Sequence, residues 1–268
     1  MNTFTHHKTL HWNNRDNRYF EDNILTEEPL SIRIQGNPYS VIMRTPGEEM
    51  AHAAGFCLAE GIVDSPEDIT SIGFCDGSDT NVVTVTLEES RRKRVTEHLE
   101  RRGFISQTSC GLCGKEIVED LQQIIKPINS TIELDAQKAY ECLESLSNHQ
   151  PLRDQTFASH CAALYNSDYK LLAVSEDVGR HNALDKVIGK LFLEHKLHRV
   201  SFLILSSRIS YELVQKAARA RIPVILAISR PTSLAIALAS QLNITLANLN
   251  KAFGLNIFCG EQRLINRT

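Results

Sequence analysis

The sequence predicts an α/β protein in two parts, a smaller N-terminal α+β portion and a C-terminal three-layer α/β portion, and three observations predict it. In the second half, short all-apolar runs such as 202–205 and 224–228 alternate with helix-like stretches of about ten residues, the pattern of a parallel or mixed sheet covered on both faces. In the first half the apolar positions alternate one by one, Leu30, Ile32 and Ile34 against Ser31, Arg33 and Gln35, which marks a strand with one buried face. Between the halves, residues 147–154 are polar enough for a linker. The expected boundaries are a poorly ordered segment over 1–25, an α+β domain over 26–127 and an α/β domain over 128–268.

The elements follow in order. Residues 30–35 and 39–44 flank Gly36-Asn37-Pro38 and predict a β-hairpin. Thr45-Pro46-Gly47-Glu48 offers an N-cap, a proline for the first helical position and a carboxylate at the third, so a helix is expected from there to Glu60, stopped by Gly61. Residues 81–87 read as a further strand. Residues 88–102 are charge-rich, with Arg91, Arg92, Lys93 and Arg94 among glutamates; a solvated helix face and a docking patch are both open. The pattern breaks over 109–114 and resumes over 115–125 as an amphipathic helix ended by Pro127, and Asp135 caps another helix through Leu146. In the second half 161–165 and 171–174 flank a turn at Asn166-Ser167-Asp168. Strand 202–205, helix 210–220, strand 224–228, helix 232–242 and strand 244–249 then alternate.

A chain of 268 residues can bury a sizeable core without staples. With 29 basic and 32 acidic side chains the net charge is -3, so no global field draws in nucleic acid or an anionic membrane, and any anion site must be local. No run approaches the roughly 18 to 20 apolar residues that span a bilayer, and the polar start lacks a signal-like stretch. A cytoplasmic location is therefore expected. Seven cysteines is an odd count, and Cys57, Cys75, Cys142, Cys161 and Cys259 are scattered singly, which suits a reducing compartment better than a disulfide framework.

The one close pair lies in Ser109-Cys110-Gly111-Leu112-Cys113-Gly114. Flanking glycines let the backbone turn sharply, and the positive end of a following helix favours thiolate. A second thiol two residues away can release a persulfide or mixed disulfide. Catalytic or redox thiols, a zinc site shared across a dimer and two buried structural cysteines all remain open; a zinc site within one chain lacks a second CxxC or HxxxH.

Three loops at expected carboxyl ends of strands carry arginines: Arg180 in 175–182, Arg208 after Ser206-Ser207, and Arg230 in 229–233. Arginine's planar fork matches phosphate oxygens. A phosphate site and ordinary exposed loop arginines are both open, since no GxGxxG or GxxxxGK[ST] loop occurs. His181 and His160 each read as structural by themselves.

At these residues the sequence resembles the formate dehydrogenase accessory sulfurtransferases, the FdhD family, over about 28–263. The specific stretches are Met43-Arg44-Thr45-Pro46-Gly47 with Gly55-Phe56 and Glu60-Gly61, the Cys110–Cys113 loop, and Glu176-Asp177-Val178-Gly179-Arg180-His181-Asn182-Ala183-Leu184-Asp185-Lys186. Residues 211–220 and Pro231-Thr232-Ser233-Leu234-Ala235 add to them. The resemblance implies a sulfurtransferase, an enzyme with a cysteine persulfide intermediate. A cysteine desulfurase loads sulfur on Cys110, with Cys113 as its partner, and the sulfur passes to a molybdenum (or tungsten) bis-molybdopterin guanine dinucleotide cofactor destined for formate dehydrogenase. It implies a cytidine-deaminase-like C-terminal domain, a homodimer, and a cofactor edge of Arg180, His181, Ser207, Arg208 and the segment Leu249, Asn250, Lys251, Ala252, Phe253 and Gly254. The cofactor is expected as bound substrate, with no resident metal. Where the family usually reads Gly-Phe-X-Arg-Gly-X-Arg, this chain has Asn248-Leu249-Asn250-Lys251-Ala252-Phe253-Gly254, so Lys251 supplies the one cation there. The deaminase signature HxE with PCxxC is absent. A non-catalytic cofactor chaperone and a dithiol oxidoreductase are the other readings.

Overall fold

A computed structural model describes residues 2–13, 16–76, 79–92 and 125–266. Over 4–25, where the sequence predicts poor order, β1 (Phe4–His11) and β2 (Arg18–Leu25) pair antiparallel. Opposite charges face each other in this hairpin, Lys8 against Glu21, and Lys8 Nζ lies 4.6 Å over the Tyr19 ring.

Strands β3 (Glu28–Ile34) and β4 (Asn37–Arg44) form the hairpin that the alternation predicts, with Leu30, Ile32 and Ile34 buried. The turn is tighter than expected. Gln35 and Gly36 both take positive φ, 56° and 80°, the two-residue turn whose twist matches that of the strands. Pro38 therefore falls inside β4, an edge strand, where a missing N–H is tolerated.

Helix α1 (Glu49–Ala59) begins four residues after the predicted cap, because Thr45 is engaged elsewhere and Glu48 takes the cap position at φ 65°. Strands β5 (Ile69–Asp76) and β6 (Asp79–Leu87) complete a four-stranded sheet in the order β4-β3-β6-β5. Arg91, expected on a solvated face or a docking patch, is buried instead. Its Nε and Nη2 donate to the carbonyls of Ile62 and Gly61, both at 2.6 Å, satisfying acceptors just past the end of α1.

In the second half a short strand β7 (Leu134–Asp135) leads into α2 (Ala136–Glu144), capped as predicted by Asp135, which accepts from Lys138 N at 3.0 Å. The helix ends before Leu146, and the expected linker is structured: 145–149 is 3-10 and α3 (Pro151–Thr156) follows. The Glu176 carboxylate accepts from Leu152 N and Arg153 N at 2.8 and 2.9 Å, which pins the start of α3 to the sheet.

The main sheet then forms from β8 (His160–Tyr165), β9 (Leu171–Asp177), α4 (Arg180–Leu193), β10 (Phe202–Leu205), α5 (Tyr211–Arg219), β11 (Val224–Ala227), α6 (Ser233–Gln241), β12 (Thr245–Asn250) and β13 (Gly254–Cys259). Its order is β13-β12-β11-β10-β8-β9, with β10, β11 and β12 parallel and the other pairs antiparallel. A final strand β14 (Leu264–Ile265) pairs with β7. Within the main sheet and its helices, α4 and β13 are elements without a sequence prediction, as are β5, β7 and β14 elsewhere. Both faces are covered, as the all-apolar strands require. Leu203, Leu205, Ile225 and Leu246 pack with α4, α5 and α6, while Phe202, Ile204, Val224 and Leu226 pack with Ala139 and Leu143 of α2.

The two halves share one apolar cluster, which runs from Leu30, Ile32 and Val83 through α1 to α4 and the main sheet. Contact between α1 and α4 is close because Gly55 faces the carbonyl of Asp185 and Gly189 faces that of Ala51. A Cβ at either glycine would overlap the opposing backbone.

Candidate functional site

Strands β9, β10, β11 and β12 point the same way, and β8 and β13 start where those four end. One edge of the sheet therefore gathers His160, Arg180, His181, Ser207, Arg208, Arg230 and the 249–254 turn. It is the edge at which helix N-termini and strand ends favour anions in open α/β sheets. The sequence-derived arginine loops meet there.

A buried polar knot holds that edge in place. Asp177, at the end of β9, is fully buried. Its carboxylate accepts from Thr45 N at 3.1 Å, Gly179 N at 2.9 Å and Asn182 Nδ2 at 2.8 Å, and pairs with buried Lys186 Nζ at 2.7 Å. Lys186 also donates to Thr45 O at 2.7 Å, Thr45 Oγ1 accepts from Val178 N, and Asn182 donates to Met43 O. Glu48 adds a second tie, accepting from Ser175 Oγ and pairing with Lys190. The stretches 43–48 and 175–190 are thus one structural unit that fixes the position of Arg180 and His181. Asn182 and Lys186 serve that unit, a role that their polarity within a mostly buried helix could have signalled.

Arg180, the first residue of α4, is half-buried, and its Nε has no hydrogen-bond partner among the described residues. Arg208, Arg230 and Lys251 are exposed, and none forms an ion pair among the described residues. Such cations are uncompensated and face outward, an arrangement that suits a polyanionic ligand. His181 Nε2 lies 3.4 Å from Ser210 Oγ and 3.9 Å from Glu212. Burial, then the charges of Arg180 and Lys216, push its pKa down to about 4. Burial and Arg180 likewise lower that of His160. Both imidazoles are neutral at pH 7, so the positive charge of the edge comes from guanidinium and ammonium groups.

Ser207 is buried, and its hydroxyl donates to Arg208 O at 3.0 Å, which shapes the loop. Residues 249–254 form the tip between β12 and β13. Asn250 Oδ1 accepts from Ala252 N, Asn250 O accepts from Phe253 N, and Gly254 takes φ +88°. Leu249 packs against the second apolar cluster, whereas Lys251, Ala252 and Phe253 are exposed. Phe253, within the expected cofactor segment, is 86% exposed, and Phe157, which was not among the expected site residues, is 82% exposed.

Cys110, Cys113 and the helix expected over 115–125 fall outside the described residues, except Ile125. The flanking described residues lie at the opposite edge of the sheet. Arg91 meets Gly61 and Ile62, next to Arg219 at the end of α5; Ile128 N donates to Leu242 O, and Arg221 donates to Lys126 O.

Acid stability follows from the buried groups. His52 of α1 is fully buried, neither ring nitrogen has a hydrogen bond of good geometry among the described residues, and burial holds its pKa well below the ordinary value. His181 and His160 are shifted the same way. Each takes up a proton more readily when unfolded, so stability present above about pH 6.5 is lost as pH falls. Asp185 opposes this: burial raises its pKa to about 6 against the pull of Lys216, which favours the folded state as pH falls through that value. Three histidines outweigh one carboxylate. Urea midpoints are expected to drop from pH 7 to pH 5, and an unchanged midpoint would contradict the neutral buried imidazoles.

Residues 25–265 match the FdhD/NarQ family. The sulfur carrier protein FdhD of Streptomyces coelicolor is 37% identical over 256 residues, covering 92% of this chain and 90% of that protein. The protein of the same name from Mycobacterium tuberculosis is 37% identical over 257 residues, covering 91% and 92%. A crystal structure described as a formate dehydrogenase accessory protein from Desulfotalea psychrophila superposes with a TM-score of 0.79 over 98% of this chain and all of that one, at 22% identity.

Proposed function

Because the chain belongs to the FdhD/NarQ family, we propose that it is a sulfur carrier for the maturation of formate dehydrogenase. Cys110 accepts sulfane sulfur from a cysteine desulfurase as a persulfide, with Cys113 as the thiol that assists its release. The acceptor is the molybdenum of a bis-molybdopterin guanine dinucleotide, carried as substrate. In this reading Arg180, Arg208 and Lys251 grip its phosphates, His181 contributes a neutral imidazole, Ser207 shapes the loop, and the 249–254 tip borders the ligand. Residues 26–127 and 128–268 act as two domains, the second of cytidine-deaminase type, and the carrier works as a cytoplasmic homodimer.

The observation that carries the cofactor half of the reading is the edge itself: four cations without carboxylate partners among the described residues, one of them with a buried, unpartnered Nε. Titration with guanosine diphosphate tests it. Each charge-assisted hydrogen bond is worth about 1.5–3 kcal/mol, so Arg180→Ala and Arg208→Ala are each expected to weaken binding by about 10- to 100-fold. Unchanged affinity in both variants would remove the edge as the cofactor site. Replacing Cys110 and Cys113 by alanine separates carrier from chaperone: a carrier loses all support of dehydrogenase activity while keeping nucleotide binding.

A further inference from the structure

Phe157 follows α3 and lies three residues before His160, which opens β8 at the arginine edge. Its ring is 82% exposed, and among the large apolar side chains of the described residues only Phe253 is more so. Exposure alone would be ordinary. The backbone is not: Phe157 takes φ 56°, in the left-handed region that a bulky side chain rarely adopts. A strained backbone that holds an apolar ring in water gives the fold nothing, and strain of this kind is kept at binding sites.

That ring sits on a braced loop. Phe157 N donates to Arg153 O at 2.7 Å, Arg153 Nη1 donates to Ser159 O at 3.0 Å, and the buried Ser159 donates through Oγ to Glu176 at 2.6 Å. The same Glu176 carboxylate anchors Leu152 N and Arg153 N. Both sides of Phe157 are thereby tied to β9, and a face ordered in advance binds with less loss of freedom.

Its neighbours are cations. Strands β8 and β10 pair Ala162 with Leu205, and Ser206 N continues the pairing by donating to Cys161 O at 3.0 Å. The segments that carry Phe157 and Arg208 therefore leave the sheet side by side. Beyond Arg208 a parallel bridge joins Ile209 to Pro231, and Thr232 N donates to Ile209 O at 3.0 Å. Arg208 and Arg230, each one residue before that bridge, thus occupy adjoining positions. Two exposed guanidinium-bearing residues so placed, with no ion pair among the described residues, repel each other unless an anion lies between them. Their forks suit a diphosphate. Neighbouring strands stand about 4.8 Å apart, so the ring-bearing loop and the arginine pair lie within two such spacings, the reach from the phosphates of a nucleotide to its base.

We propose that Phe157 is the stacking platform for the purine base of a nucleoside diphosphate whose phosphates rest on Arg208 and Arg230. This rests on reading the edge as the site for the guanosine ends of the cofactor, and it names what holds the base there. Stacking uses the π-face of the base and needs no hydrogen bond from the ring, which is all that a phenylalanine offers.

The test is calorimetric titration of the full-length protein with guanosine diphosphate and, separately, with inorganic pyrophosphate. Phe157→Ala should weaken guanosine diphosphate binding by about 5- to 100-fold and leave pyrophosphate binding unchanged, whereas Arg208→Ala should weaken both. Phe157→Trp should restore the affinity, with its added indole quenched by guanosine diphosphate and not by pyrophosphate, and Phe157→Leu should not restore it. Phe157→Gly separates binding from folding. Glycine is at ease at φ 56°, so this variant should be no less stable than the native chain and yet bind as weakly as Phe157→Ala. Unchanged guanosine diphosphate affinity in Phe157→Ala, or a loss in Phe253→Ala instead, overturns the inference and leaves the edge as a nucleotide site. Binding of neither ligand to the native chain removes the reading of the edge itself, and this inference with it.

Discussion

Gly189→Ala is expected to destabilise the fold by roughly 3 kcal/mol or more, at the upper end of what overpacking costs. Helix propensity alone argues the other way, because alanine inside a helix gains about 1 kcal/mol over glycine. Packing wins here. The new methyl would overlap the Ala51 carbonyl of α1, and its neighbour across the crossing is the Gly55 backbone rather than a side chain that could swing aside. Gly55→Ala meets the Asp185 carbonyl in the same way. Chemical denaturation of both variants checks this, with Gly73→Ala as a control, since nothing lies near a Cβ there. Equal stability of Gly189→Ala and the control would mean that the α1–α4 crossing is looser than described. The consequence reaches function, because that crossing seats α4, and α4 carries Arg180 and His181.

Lys186→Met should cost a comparable amount, about 3–5 kcal/mol, the usual loss when one partner of a buried pair is removed. The pair itself is weak support for stability, but the Asp177 carboxylate left behind would be fully buried without its cation. That loss is a large share of the roughly 5–15 kcal/mol by which domains are stable. Adding Asp177→Asn to Lys186→Met should recover part of it, because the orphaned charge is gone while the amide oxygen still accepts from one of Thr45 N and Gly179 N, which bond different carboxylate oxygens. A double variant no more stable than Lys186→Met alone would contradict the view that charge, rather than packing, dominates the knot. In the folded fraction of Lys186→Met, weaker guanosine diphosphate binding would show that the knot aims the arginine edge.

The fold class was legible because its determinants are local. The runs 202–205 and 224–228 are wholly apolar, and a strand buried on both faces can hardly be composed otherwise. Asp135 and Thr232 cap their helices through side-chain oxygens, a signal that needs no tertiary knowledge. The errors arose where a local signal was overruled by a distant partner. Thr45-Pro46 has the form of a helix start, yet Thr45 is bound to Asp177, Val178 and Lys186, more than 130 residues away. Arg91 belongs to a charge-rich run, yet it folds inward to carbonyls left open beyond α1. Residues 147–154 are polar, yet Glu176 supplies the anion that lets 151–156 start a helix.

At the candidate site, the gathering of Arg180, Arg208 and Arg230 on one edge followed from strand order, and the sequence pattern already implied it. Which polar residues build the edge and which face the ligand was not legible. Asp177, Asn182 and Lys186 stand in the same motif as Arg180 and His181, and only burial separates the two groups.

The sulfur-carrier account is tested most directly by incubating the protein with a cysteine desulfurase and cysteine, then mapping added mass by peptide. The account predicts a gain of about 32 Da on Cys110, removed by a thiol reductant and absent after Cys110→Ala. A chain that binds guanosine diphosphate but gains no such mass on Cys110 or Cys113 would contradict it.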